Sequence, residues 1–237
     1  MAPPHATLIR KLRVHSLLGE AEEASLAGLS IRTRNLQPGE DFIREGDEPN
    51  LSAIVLEGWV ARYHSLRGGR RQYLSLHLPG DWPDAQGLLV RRMDHSICAI
   101  GPAVLGTIRH EQLRGVFQRN AQVAEALWRE TLIDAAIFRQ AITNNGSRTA
   151  TKRMAHLFCE LFYRARQAGL TEGEALTLPL NQFQLGDVLG LALVPVNRAV
   201  RSLRATASVD FRNGRLIIVN WDKLADIAEF DPSYLNV

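Results

Sequence analysis

The stretch of sequence that decides the fold is NQFQLGDVLGLALVPVNRAVRSLRA, residues 181–205. Asn181 and Gln184 are spaced as an amide version of a capping box, which predicts a first helix from there to the residue before Gly190. A second helix is predicted to begin near Val194, because the proline that follows is tolerated in the first turn of a helix. Two helices joined by a turn of about three or four residues that contains glycine are typical of a helix-turn-helix.

The second helix of this motif is predicted to have one apolar and one polar face. Its apolar side chains recur at helical spacing and are expected to be buried; they are Val196, Ala199, Val200 and Leu203. Its other face carries amide and guanidinium groups, from Asn197, Arg198, Arg201 and Arg204. Asparagine can pair with adenine, and arginine can donate two hydrogen bonds to guanine, in the major groove of DNA. The second helix is therefore a candidate for reading base edges.

A β-hairpin is predicted directly after the second helix. Two β-rich runs flank Asn213-Gly214, and Asn-Gly is the preferred pair for a two-residue hairpin turn. Arg212 and Arg215 border this turn, so the hairpin would form a wing that brings two arginines to the phosphate backbone. Residues 192–215 carry five arginines and one aspartate, a net charge of +4, whereas the whole chain carries only +3. The rest of the chain is therefore slightly acidic.

The rest of the 237-residue chain is predicted to form a β domain and a long helix. Between residues 33 and 110, short β-rich runs alternate with turn signals such as Pro79-Gly80-Asp81, which is typical of a β-roll, that is, a double-stranded β-helix or jelly roll. From residue 111 to 142 turn residues are rare and apolar side chains follow helical spacing. The predicted fold class is α+β. Its parts are an N-terminal arm and β-roll at 1–110, a dimerisation helix at 111–145 and a winged helix-turn-helix at 146–237.

The predicted long helix carries an apolar stripe that points to self-association. The stripe comprises Val123, Leu127, Thr131, Ala135, Phe138 and Ile142. An exposed apolar helical face is best buried against its twofold mate, so these residues predict a homodimer. Such a dimer would present two recognition helices about 34 Å apart, one turn of DNA, to a palindromic site.

Several classes of protein are excluded by composition. No apolar run approaches the roughly 20 residues of a membrane span, and the N-terminus lacks the pattern of a signal peptide, so we expect a cytoplasmic protein with no membrane partner. The two cysteines, Cys98 and Cys159, cannot supply a four-ligand zinc or iron–sulfur site. Both are interpreted as buried thiols, with redox sensing as the alternative. No cofactor and no metal site are predicted.

Taken together, these segments resemble the Crp/Fnr family of bacterial transcription regulators, from about Leu8 to Leu235. The resemblance implies a β-roll sensor domain, a dimerisation helix and a winged helix-turn-helix that binds double-stranded DNA, with RNA polymerase as a further partner. The stretches that carry it are Pro38-Gly39-Glu40 through Glu45-Gly46-Asp47, residues 56–60, Leu78-Pro79-Gly80-Asp81, residues 93–96, residues 154–160, and residues 187–191 continuing to Val196-Asn197-Arg198.

The resemblance also implies roles for individual residues of the motif. Arg198 falls on the recognition-helix arginine that the family shares, and Gln182 falls where relatives touch phosphate. Where relatives have a base-reading glutamate, this chain has Val194, preceded by Leu193 and followed by Pro195. The preferred base pairs are therefore expected to differ, and apolar contact with a thymine methyl group is one way to read them.

The predicted sensor domain departs further from the family. Cyclic-nucleotide-binding members have a glutamate and an arginine where this chain has Ala85 and His95, so control by cAMP or cGMP is not expected. The cysteine cluster of iron–sulfur members is absent from the first 97 residues. No haem motif surrounds the β-roll histidines, which are interpreted as hydrogen-bonded side chains: His64, His77, His95 and His110. An unidentified small effector, a redox change, or control by abundance alone all stay open.

Three other interpretations compete with a DNA-binding regulator. The basic helix face could be an ordinary solvated surface, although the wing and the concentrated charge argue against this. A cupin-like metal-binding β-barrel would use two histidines and a carboxylate, and no closely spaced His-x-His pair occurs. A small-ligand binding module could have lost DNA binding. The prediction is a sequence-specific DNA-binding regulator that is not an enzyme, with operator and target genes undetermined.

Overall fold

The computed structural model describes residues 3–235 and confirms the α+β fold class. Within these residues the chain divides into two compact units. The first comprises residues 3–65 and 74–135, and the second comprises residues 66–73 and 136–235. The outermost predicted domain limits, residues 1 and 237, lie outside the described residues. No helix among residues 3–235 has both the length and the apolar character needed to cross a membrane.

Seven short strands form two sheets that correspond to the predicted β-roll. The strands are β1 (Arg32–Leu36), β2 (Asp41–Ile43), β3 (Leu51–Glu57), β4 (Val60–Ser65), β5 (Arg71–His77), β6 (Ser96–Ala99) and β7 (Ala103–Arg109). One sheet has the order β1-β7-β3 and the other has the order β2-β6-β4-β5. Val55, Ile97 and Leu105 are fully buried members of one core cluster, to which strands of both sheets contribute.

A second core of the first unit lies beneath its helices. These are α1 (Pro4–His15), α2 (Glu20–Ala27), a 3₁₀ helix (Ala85–Leu88) and α3 (His110–Arg119). Leu8 and Leu12 of α1 belong to the same buried cluster as Ile54 of β3 and Ile108 of β7. Burying such side chains contributes about 1.5 to 3 kcal/mol each. The helical arm therefore forms an integral part of this unit.

The helix predicted from residue 111 to 142 is two helices in the structure. After α3, the chain is extended at Asn120 (φ −141°, ψ 96°), and α4 spans Ala121–Ser147. The Asn120 Oδ1 atom accepts from the backbone N–H groups of Gln122 (3.2 Å) and Val123 (3.3 Å). Because this side chain satisfies donors that a continuous helix would pair internally, it starts a new helix at that point.

The second unit holds the predicted winged helix-turn-helix elements. Its elements are α5 (Ala150–Gln167), β8 (Ala175–Thr177), α6 (Gln182–Leu189), α7 (Leu193–Ala205), β9 (Val209–Arg212), β10 (Arg215–Ile218), α8 (Trp221–Ala228) and a 3₁₀ helix (Pro232–Leu235). The three strands form one antiparallel sheet in the order β8-β10-β9. The fully buried Phe158 and Phe162 of α5 form part of the core of this unit.

The helix α8 was missed by the sequence reasoning. Asn220 caps it, accepting from the backbone N–H of Lys223 at 2.9 Å, and Leu224 and Ala228 are buried at helical spacing. Its first residue, Trp221, packs against Phe162 of α5 with ring centroids 6.0 Å apart. An asparagine followed by apolar residues four apart was the available signal.

Candidate nucleic-acid interface

The first helix of the motif is capped as the sequence predicts. Asn181 Oδ1 accepts from the backbone N–H of Gln184, and Gln184 Oε1 accepts from the backbone N–H of Asn181, both at 2.9 Å. This reciprocal pair satisfies two backbone donors and fixes where α6 begins. Gln182 and Phe183, directly after the cap, are exposed, and Phe183 retains 68% of its accessible surface. The exposed aromatic ring was not singled out from the sequence.

The turn between α6 and α7 begins at a glycine. Gly190 ends α6 with a left-handed backbone (φ 63°, ψ 34°), which glycine adopts without steric cost. Leu191 donates from its backbone N–H to the carbonyl oxygen of Gly186 at 2.9 Å. The left-handed backbone at residue 190 therefore favours glycine at this position.

The second helix, α7, buries the face that the sequence predicts. Its apolar side chains retain at most 4% of their accessible surface: Val196, Ala199, Val200 and Leu203. The opposite line of the helix is exposed and comprises Val194, Arg198 and Arg201. Pro195, Asn197 and Arg204 are half-buried beside that line. Of the four predicted polar residues of α7, Arg198 and Arg201 are therefore the exposed ones.

The wing turn has the conformation that its sequence predicts. Asn213 (φ 50°) and Gly214 (φ 73°) both have positive φ, which a type I′ hairpin turn requires. Arg212 and Arg215 face each other in the register of β9 and β10. The turn thus brings two arginine positions together at the tip of the wing.

The arginines of the interface fall into two groups by their partners. Arg204 and Arg212 both contact Asp210, and Arg215 contacts Glu172 at 3.4 Å. Within residues 3–235, the guanidinium groups of Arg198 and Arg201 have neither an ion pair nor a hydrogen bond. The net charge of +4 was counted over residues 192–215, which do not include Glu172. The contact of Arg215 with Glu172 therefore makes the net charge around the wing lower than that of residues 192–215 alone. The uncompensated positive charge is on α7.

Two family models match this chain. Residues 33–120 match the model described as a cyclic nucleotide-binding domain, and residues 152–227 match the Crp-like helix-turn-helix domain. The second match covers α6, α7 and the wing, whose geometry is described above. The chain belongs to the Crp/Fnr family of transcriptional regulators.

Individual relatives of this Crp/Fnr regulator are transcription regulators rather than enzymes. The transcriptional activator protein FnrL of Cereibacter sphaeroides is 26% identical over 189 residues, covering 78% of this chain and 75% of that protein. The nitrogen fixation regulation protein FixK of Rhizobium meliloti is 29% identical over 182 residues, covering 76% of this chain and 79% of that protein. The structure of FixK2 from Bradyrhizobium japonicum aligns with a TM-score of 0.76 at 25% identity, covering 84% of this chain and 98% of that one. These comparisons do not favour a cupin-like enzyme.

In the β-roll of this Crp/Fnr regulator, the two positions that differ from the cyclic-nucleotide-binding pattern are both buried. Ala85 offers no polar side-chain atom. His95 is engaged through both ring nitrogens, by Asp94 Oδ1 at 2.8 Å and by Gln86 Nε2 at 3.2 Å. Burial and the positive charge of Arg62 lower the pKa of His95, so its ring is neutral near pH 7. A neutral, engaged imidazole is a poor substitute for an arginine that binds phosphate.

Arg62 of β4 is a buried charge that the sequence reasoning did not identify. It is 3% exposed, its Nε donates to the carbonyl oxygen of Pro83 at 2.6 Å, and its Nη2 donates to Gln86 Oε1 at 3.3 Å. Its Nη1 forms an ion pair with Asp134 of α4. Nearby, burial raises the pKa of Asp84 to about 7, although both of its oxygens accept from the backbone N–H of Ala53. The ion pair between Arg62 and Asp134 thus fixes α4 to strand β4.

The structure changes which residues of α4 can contact a second copy of the regulator. Val123 (1% exposed) and Leu127 (6% exposed) pack into the helical core of the first unit and are unavailable. Thr131, Ala135 and Phe138 are half-buried, and Ile142 is 74% exposed. Trp128 (62% exposed) and Leu132 (43% exposed) were not in the predicted set. The exposed apolar stripe of α4 therefore begins five residues later than predicted, at Trp128.

The β-roll histidines have hydrogen-bonding or ion-pair partners in the protein. His64 contacts Glu45 (3.3 Å), His77 contacts Ser75 (2.8 Å) and His110 contacts Ser52 (3.1 Å). Among residues 3–235, no group of three or more His, Cys, Asp and Glu side chains is arranged to hold a metal ion.

Both cysteine thiols are buried. Cys98 and Cys159 retain no accessible surface, and burial raises the pKa of the Cys159 thiol to about 12. A thiol in such an environment is chemically inert.

Proposed function

We propose that the protein is a homodimeric regulator that binds a palindromic DNA operator through α6, α7 and the wing. The observation that carries this proposal is the exposed line of α7, where Arg198 and Arg201 have no partner within residues 3–235. Two exposed guanidinium groups side by side form a local positive charge that attracts an anion, and their N–H donors are available to acceptor atoms of a partner. The major groove of DNA supplies both.

The proposed interface divides into base-reading and backbone-contacting groups. Arg198 and Arg201 would donate to guanine edges, Asn197 would pair with adenine, and the exposed Val194 would contact a thymine methyl group. Pro195 keeps the start of the helix rigid beside Val194. The groups proposed to contact the backbone are Gln182, Arg204, Arg212 and Arg215.

The homodimer is supported by the exposed apolar stripe of α4. Trp128, Leu132, Ala135 and Ile142 follow steps of four, three and seven residues, the spacing of a helix that packs against a parallel copy. Members of this family act as dimers, and a twofold axis matches a palindromic site. We retain 1–110, 111–145 and 146–237 as the proposed division into sensor, dimerisation and DNA-binding parts.

The DNA binding of this regulator is proposed to be controlled by a signal other than cAMP, cGMP or an iron–sulfur cluster. The support is the pair Ala85 and His95, and the absence of cysteine from residues 1–97. A small effector of different chemistry would act on the β-roll by shifting the population of DNA-competent dimers. The proposed partners are DNA and RNA polymerase, which places the regulator in the cytoplasm.

Selection of DNA fragments tests the proposed function directly. The purified full-length protein is mixed with fragments of the source genome, and retained fragments are sequenced. We expect a shared palindrome whose half-sites are about 10 base pairs apart, centre to centre. Retention of no fragment even at low salt would favour a ligand-binding module that has lost DNA binding, and retention without a shared motif would contradict sequence-specific binding.

A further inference from the structure

Asp210 lies at the junction of α7 and the wing and contacts one arginine from each. Its Oδ1 atom is 3.0 Å from Nε of Arg204 on α7 and 2.9 Å from Nε of Arg212 on β9. Asp210 itself pairs with Ile217 in the ladder of β9 and β10, so its backbone is held by the sheet. One carboxylate oxygen therefore joins two guanidinium groups that come from different elements.

The contact through Nε leaves the other donors of both arginines available. A guanidinium group has five N–H donors in a planar fork, and four of them are on the two terminal nitrogens. In the part of the chain that the structure describes, no terminal nitrogen of Arg204 or Arg212 donates a hydrogen bond. The guanidinium groups of Arg204 and Arg212 are thus held at the same carboxylate oxygen of Asp210, and their terminal N–H groups are available to a ligand.

The position of Arg204 fits a backbone contact better than a base contact. Its side chain is 35% exposed and turned toward Asp210, whereas Arg198 and Arg201 lie on the exposed line of α7. Two guanidinium cations and one carboxylate leave a local charge of +1, so the cluster still attracts an anion. Paired guanidinium forks match the geometry of phosphate oxygens.

We propose that Asp210 is a positioning residue that holds Arg204 and Arg212 together as a site for one phosphate group of the DNA backbone. The proposal rests on the proposed DNA-binding function and assigns Arg204 to the backbone rather than to base edges. Without Asp210, each long side chain must lose its own rotamer freedom on binding, which weakens the contact.

Two variants of Asp210 separate positioning from charge. Asp210→Asn and Asp210→Ala both remove the negative charge, but only asparagine keeps an oxygen that can accept from Nε. Binding is measured by fluorescence anisotropy with a labelled duplex of about 30 base pairs and arbitrary sequence, since phosphate contacts do not depend on sequence. Potassium chloride is varied from about 50 to 200 mM to obtain the salt dependence.

The two variants are expected to differ. Asp210→Asn binds the duplex at least as tightly as the unmodified protein, because an anion near DNA is lost. Asp210→Ala binds about fivefold more weakly than Asp210→Asn, and its slope of log affinity against log salt is smaller by about one. When Arg204→Ala is added to each variant, most of the difference between them disappears, because the two residues act as a unit.

Equal affinities and equal salt slopes for Asp210→Ala and Asp210→Asn, with unchanged thermal unfolding, would overturn the positioning role while leaving the proposed function intact. A difference that persists fully in the Arg204→Ala background would also overturn it, since Asp210 would then act through another group. Failure of the unmodified protein to bind any duplex would overturn the proposed function and this inference together.

Discussion

Gly186 of α6 and Leu191 of the turn are in direct backbone contact. A β-carbon added at Gly186 would lie 2.5 Å from the carbonyl oxygen of Leu191, a distance that side chains do not tolerate. The hydrogen bond from the Leu191 N–H to the Gly186 carbonyl holds the same two residues together. The placement of α7 relative to α6 therefore depends on the absence of a side chain at residue 186.

Substitution of this glycine is expected to destabilise the second unit. Gly186→Ala forces the turn apart and should cost about 1 to 3 kcal/mol of unfolding free energy. The matched control is Gly146→Ala near the end of α4, where an added β-carbon would meet nothing within 4 Å. That control should be neutral or stabilising by up to about 1 kcal/mol, because alanine favours helix. Thermal or urea unfolding of both variants measures the difference, and equal stabilities would contradict the steric argument.

Arg198 and Arg215 are expected to contribute differently to DNA binding. Arg198→Ala should weaken operator binding by about 1 to 3 kcal/mol and relax the preference for one base pair, because its guanidinium reads a base edge. Arg215→Ala should weaken binding to all sequences alike, because it contacts the backbone. Competition between operator variants in a gel-shift series distinguishes the two effects. An unchanged affinity of Arg198→Ala for its operator would contradict the assignment of α7 as the recognition helix.

The exposed stripe of α4 predicts a variant that loses dimerisation. Leu132→Glu places a charge in the proposed interface, and burying an unpaired carboxylate there is strongly unfavourable. We expect a monomer by sedimentation at micromolar concentration, together with loss of binding to a palindromic site. Leu17→Glu is the control, since Leu17 is 99% exposed outside the stripe and should leave the dimer intact. A dimeric Leu132→Glu variant would show that another face mediates association.

His156 on α5 predicts a loss of stability at acidic pH. Its ring is 3% exposed, and burial together with the charge of Arg148 lowers its pKa from 6.5 to about 4. Between these values the unfolded chain binds more protons than the folded one, so stability falls as the pH drops from 6.5 toward 4. The full effect is about 3 kcal/mol. Well above pH 6.5, where the ring is neutral in both states, this group contributes no pH dependence.

The variant that isolates this effect is His156→Phe, which keeps an aromatic ring in the cluster with Phe230 and Tyr234. Urea unfolding at pH 7 and pH 5 gives the change in free energy for both proteins. The natural sequence should lose more stability between these pH values than the variant does. Identical losses would mean that the ring of His156 takes up a proton as readily in the folded protein as in the unfolded chain.

Local signals in the sequence were sufficient to predict the capping and turn features of the DNA-binding unit. The capping box at Asn181 and the Asn213-Gly214 turn depend on residues within a few positions of each other, and both form as predicted. Short-range hydrogen bonding and backbone preference decide such features, so one sequence suffices to recognise them.

Features that depend on distant parts of the chain were not predictable in the same way. Val123 and Leu127 have the spacing of an interface stripe, but the helical arm and the β-roll bury them inside their own unit. The contact of Arg215 with Glu172 joins residues 43 positions apart and reduces the charge of the wing. The helix break at Asn120 lies within a continuous apolar periodicity, which masked its capping side chain. Tertiary contacts decide each of these features.

The ion pair of Arg62 with Asp134 has a consequence for how this regulator can respond. An arginine in a protein does not lose its proton, so the charge that fixes α4 to the β-roll is permanent. Other donors of Arg62 are directed to Pro83 and Gln86, so groups of the protein itself supply acceptors to the guanidinium. Any signal that reaches α4 through this site must therefore break an existing ion pair rather than complete a missing one.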